Sequence, residues 1–136
     1  MIVCGIELTA SEARLFVLKG TKSMFLHVEV SPSKLVLEDD EKPKEVKAFQ
    51  EAIYTFLREN RVERIAIKKR GKRGQYAGSP VSFKLEGLVQ LYPECDVRLV
   101  SPQTISAAKR KHTPEAPQDI KDFQQVAFET AFAALD

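Results

Sequence analysis

The chain has 136 residues, 43% hydrophobic and 29% charged, with a net charge of +2. That length suits one domain, residues 1–136, with a core of its own, and the composition excludes disordered, collagenous and disulfide-scaffold classes. No 18-residue apolar run is present and no basic segment leads into an apolar one at the N-terminus, so the expectation is a cytoplasmic protein with no membrane partner.

In chain order, "MIVCGIE" and "EARLFVLKG" read as strands joined by "LTAS", and "SMFLHVEVS" as a third, which together predict an antiparallel meander. "SPSKLVLEDDEKPKE" reads as turns and charge. Val46, Phe49, Ile53, Phe56 and Leu57 then recur at helical spacing, with Pro43 in the first turn. "ERIAI" is a fourth strand with no polar face, as a buried central strand requires. Ser79 and Pro80 open a second helix through about Leu91, "DVRLV" is a fifth strand, Ser101 and Pro102 open a third helix, and "QDIKDFQQVAFETAFAAL" is a fourth. A meander followed by strand–helix alternation predicts an α/β fold: a five-stranded mixed sheet, three strands antiparallel and two parallel, with helices on both faces.

In such sheets ligands gather at the carboxyl ends of the parallel strands, and Glu7 and Lys68 are both placed there. Between Arg61 and Arg73 there are seven Lys or Arg and one acid, Glu63. Lys69, Arg70, Lys72 and Arg73, interleaved with Gly71, Gly74 and Gly78, lead into the helix start at Ser79. Flexible backbone, cations and the free N–H groups of a helix start make this loop a candidate phosphate- or nucleic-acid-binding surface. Tyr76 adds an aromatic ring able to stack on a base. The loop is not a P-loop, because the G-x-x-x-x-G-K-[ST] pattern is absent. Lys109, Arg110, Lys111 and His112 form a second cluster at a helix C-terminus, where cations need no ligand to be favoured. Cys4 and Cys95 lie far apart and read as small buried hydrophobes. His27 and His112 have no zinc spacing around them.

The element order, with "IVCGIE" opening a hairpin, resembles the ribonuclease H-like superfamily and within it the RuvC-type Holliday-junction resolvases. "AIKKR" and "AGSPVSFKLEG" are similar to a bacterial family of RuvC-like proteins of unknown function. The resemblance implies an acid ending the first strand, a second ending the fourth, and one or two on the last helix, together holding two Mg²⁺ or Mn²⁺ ions for phosphodiester hydrolysis. Carried over, these positions fall on Glu7, Lys68, Glu129 and Val126. Asp122 is too far along the helix to substitute. Lys68 is the decisive departure, since an ammonium has donors and no lone pair. Placed between Glu7 and Glu129, it would neutralise them as a metal would have.

The expectation is therefore a domain with a vestigial site at Glu7, Lys68 and Glu129, no cofactor, and binding to structured DNA or RNA through Lys69, Arg70, Lys72, Arg73 and Ser79. The rival readings are an active nuclease with Mg or Mn held by Glu7 and Glu129, and an interaction scaffold, such as a homodimer paired through the edge strand "SMFLHVEVS".

Overall fold

The computed structural model describes residues 1–136. Its strands are β1 (Ile2–Thr9), β2 (Glu12–Gly20), β3 (Phe25–Val28), β4 (Lys34–Val36), β5 (Arg64–Lys68) and β6 (Asp96–Val100). The helices are α1 (Pro43–Glu59), α2 (Pro80–Gln90), α3 (Pro102–His112) and α4 (Gln125–Ala133), the last preceded by a 3₁₀ turn at Asp122–Gln124. The sheet runs β3-β2-β1-β5-β6, antiparallel among the first three and parallel from β1 through β6.

Strand alternation sorts the core into two layers. Cys4, Ile6 and Leu8 of β1 join Ile65 and Ile67 of β5 beneath α1 and α2. On the other face Val3, Phe16, Leu18 and Ala66 pack against Phe128, Ala131 and Phe132 of α4 and Ile105 of α3. Helices thus cover both faces, as expected. Gly5 sets the spacing of the second layer: a Cβ there would lie 2.1 Å from the Ala127 carbonyl oxygen and 2.6 Å from the Ala131 nitrogen. Only a residue without a side chain lets α4 come so close to β1.

Three elements depart from expectation. The hairpin turn is Ala10–Ser11, with Ala10 at φ 50°, so β1 continues past Glu7 to Thr9 and Glu7 sits within the strand. The segment read as turns contains β4, a sixth strand, which pairs with Glu12–Arg14 of β2 while β3 pairs with Val17–Gly20. One edge is thus shared by two short strands, tied at the junction by the Leu15 N–H donating to the Ser33 carbonyl at 2.9 Å. The last helix begins at Gln125, leaving Asp122 exposed in the 3₁₀ turn. Its start is set by Gln124, whose side chain is buried and donates to the Leu15 carbonyl at 3.1 Å. No helix is long and apolar enough to cross a membrane.

Candidate nucleic-acid interface

The parallel register pairs Ile6 with Ile67, which sets Glu7 and Lys68 in adjacent positions on neighbouring strands. By alternation both project to the α4 face. Across the hairpin Glu7 stands opposite Arg14, and Lys68 stands opposite Val100. Arg14, Glu7 and Lys68 therefore form one row across the sheet.

Within that row Arg14, not Lys68, neutralises Glu7. Its Nη1 donates to Glu7 Oε1 at 3.3 Å while its Nε donates to Glu12 Oε2 at 3.0 Å. Partial burial opposes the guanidinium's charge, but the two carboxylates outweigh it and raise its pKa above the ordinary arginine value. Glu129 is likewise taken by another cation: Lys109 Nζ of α3 lies 2.8 Å from its Oε2, and Gln125 Nε2 donates to the same oxygen at 3.1 Å. Lys68 forms no ion pair with either acid, so the expected bridge between Glu7 and Glu129 is corrected by two separate pairs from neighbouring elements. The physical reason is reach. Arg14 is held directly across the hairpin from Glu7, and α3 packs on α4 with Lys109 over Glu129.

The fit to two Mg²⁺ or Mn²⁺ ions fails on these contacts. Hard divalent cations need several convergent carboxylate or carbonyl oxygens, whereas no group of three or more His, Cys, Asp or Glu converges anywhere in the structure. Each acid already has a cationic partner, and Lys68 adds only donors. Val126, the position of an additional acid, offers an apolar side chain, and its carbonyl accepts from the Thr130 hydroxyl at 2.8 Å.

The loop after β5 divides into a framework and a surface. Arg70 belongs to the framework: its side chain is 11% exposed, Nη2 donates to Glu86 Oε1 of α2 at 2.8 Å, and the guanidinium lies 4.5 Å from the Phe83 ring centroid. Burial pulls its pKa below the ordinary arginine value, against the pull of Glu86. Arg70 Nε is buried without a partner. Ser79 is likewise committed, its Oγ accepting from the Ser82 N–H at 3.1 Å and donating to the Ala10 carbonyl at 3.0 Å. These two side chains hold loop, hairpin and α2 together and are withdrawn from the expected set of phosphate ligands. Their short sequence distance from free cations hides the difference.

Lys69, Lys72 and Arg73 are exposed and form no ion pair, and Tyr76 is 89% exposed at the loop's tip. Gly74 takes φ 88°, and the Gly78 N–H donates to the Gly71 carbonyl at 2.9 Å, closing the loop on itself. The free cations are thereby displayed on an ordered loop beside Lys68. The sequence reading missed Arg14 and Lys109 as the partners of the two acids. The signal that finds Arg14 is the length of the hairpin turn: the link read as "LTAS" sets Glu12 opposite Glu7, whereas the two-residue turn pairs Thr9 with Glu12 and places Arg14 there.

This arrangement sits in a recognisable fold. Solved structures similar to the chain include Thermus thermophilus RuvC, with a TM-score of 0.73 at 15% identity over 98% of this chain and 92% of that one. The same protein in complex with a Holliday junction substrate gives 0.68 at 14% identity over 98% and 91%. The Fowlpox virus resolvase with substrate Holliday junction DNA gives 0.55 at 12% identity over 98% and 90%. The fold is thus of the RuvC, ribonuclease H-like class. Residues 1–134 match the family described as "Protein of unknown function (DUF3010)", and the chain belongs to that family. No curated protein matches it in sequence.

Proposed function

We propose that the chain is a nucleic-acid-binding domain that uses a RuvC-like fold with a degenerate metal site, and that it holds structured DNA or RNA without cleaving it. The observation that carries this reading is the row Arg14–Glu7–Lys68, in which positions suited to metal-binding acids hold one ion-paired carboxylate and one unpaired ammonium. Lys68, Lys69, Lys72 and Arg73 offer positive charge without acidic partners. Such charge at strand ends favours phosphates over cations. The complexes of T. thermophilus RuvC and the Fowlpox virus resolvase with Holliday junction DNA support nucleic acid as the ligand class.

Phosphate contacts dominate affinity in such a surface, so binding should weaken steeply with salt and be independent of divalent ions. Gel-shift titrations with a four-way DNA junction, duplex DNA and structured RNA, each in EDTA and in Mn²⁺, test this. The expected result is retarded, uncleaved complexes in both conditions. Absence of binding to all three at low ionic strength overturns the proposal, and Mn²⁺-dependent cleavage replaces it with a nuclease.

A further inference from the structure

A cavity of about 320 Å³ opens beside the carboxyl ends of β5 and β6, between them and helices α3 and α4. Lys69, Ser101 and Thr104 supply its polar rim, and Val100, Ala133 and Ala134 its apolar wall. We infer that this cavity accepts an unpaired nucleobase while the adjacent loop cations hold the flanking phosphates. The inference rests on the nucleic-acid reading above and adds to it the feature recognised: a base outside the double helix.

Four observations converge on that assignment. The volume falls at the lower end of the range for small-ligand sites, roughly 300–1,000 Å³, enough for one base and too small for a base pair with its backbone. The wall is apolar on the α4 face, where Val100, at the end of the edge strand β6, meets Ala133 and Ala134. The rim carries one free cation, Lys69. Arg98, the other cation of the lining, is committed to Asp96 at 2.6 Å. Finally, the rim is rigid and joined to the loop, because the Lys69 N–H donates to the Val100 carbonyl at 2.8 Å and Ser101 caps α3 through Thr104 N at 3.1 Å.

An apolar wall facing a polar rim with one cation matches a heterocycle that presents flat faces and hydrogen-bonding edges and is attached to an anion. Taking a base out of a stack costs a few kcal/mol in a perfect duplex and least where the base is already unpaired. The cavity should therefore discriminate bulged from perfect duplex, while the exposed loop cations bind both.

Fluorescence anisotropy with a duplex, and with the same duplex carrying a single-nucleotide 2-aminopurine bulge, separates these contributions. Wild-type protein should bind the bulged duplex about tenfold more tightly, equivalent to about 1.4 kcal/mol, with a change in 2-aminopurine emission on binding. Ala133→Leu, which fills the cavity, should abolish the preference and the emission change while leaving duplex affinity unchanged. Thr104→Gln, at an exposed position on the rim, should do the same without burdening the core. Lys72→Glu with Arg73→Glu should weaken both ligands alike. Equal wild-type affinity for the two duplexes, or a preference that survives both Ala133→Leu and Thr104→Gln, overturns the cavity assignment and leaves the binding domain standing. Failure to bind either duplex overturns the cavity assignment, and the binding-domain reading falls with it only when the four-way junction and structured RNA also fail to bind.

Discussion

Arg70 and Lys69 are chain neighbours with opposite fates, and the difference is burial. Lys69 points to solvent, whereas Arg70 is enclosed by Glu86, Phe83 and the Leu8 carbonyl. A guanidinium removed from water is tolerable only with a partner, so Glu86 is needed for stability. Glu86→Gln should lower unfolding stability by about 3 kcal/mol, because it strands a largely buried charge. Urea titration followed by circular dichroism measures this, and a change below about 0.5 kcal/mol would place Arg70 among the free loop cations instead. Cys4 illustrates the same logic in a neutral group: complete burial pushes its thiol up to about 12, as suits the inert core residue its isolation in sequence suggested.

At the scale of elements, local signals fixed most boundaries. Ser79 and Ser101 each accept from the N–H three residues on, and each precedes a proline at the first helical position. The end of α1 is a six-to-one closure. The Val62 N–H donates to the Leu57 carbonyl at 3.1 Å and the Arg61 N–H to the Arg58 carbonyl at 3.0 Å, which requires Arg61 to sit at φ 52°. Glycine adopts that conformation without steric penalty and arginine does not. Arg61→Gly should therefore raise stability by about 0.5–1 kcal/mol, read as a higher Tm in calorimetry. An unchanged or lower Tm would mean that the arginine side chain compensates for its backbone. Strand β4 left no comparable signal: three residues are too few for a period, and their pairing depends on β2 having a free stretch of edge.

For the whole molecule, the question is whether charge at the sheet ends belongs to a metal or to a phosphate. Three cations from three elements support the phosphate reading proposed above: Arg14 on β2, Lys68 on β5 and Lys109 on α3. Replacing Lys68 alone with an acid would leave Glu7 held by Arg14 and Glu129 by Lys109. Calorimetric titration with Mn²⁺ should accordingly show no saturable site in the wild type or in Lys68→Glu. A site should emerge only when Arg14→Leu and Lys109→Leu are added. A stoichiometric Mn²⁺ site in the wild type that Glu7→Ala abolishes would refute this account.

The sequence by itself determined the layer order, the starts of α1, α2 and α3 and the chemical oddity of Lys68, because periodicity, caps and residue type act over a few residues. The pairing of Glu7 with Arg14 is not among these, because a link of four residues, "LTAS", sets Glu7 opposite Glu12, and only the observed two-residue turn at Ala10–Ser11 brings Arg14 across from it. What only the tertiary structure decided was which charges are free. Arg70 is consumed by a glutamate sixteen residues away and Glu129 by a lysine on a different helix, contacts set by how α2 and α3 pack against the sheet and α4. The cavity beside β6 arises in the same way, from the gap left where two helices meet an open sheet edge, and no local stretch of sequence encodes a gap.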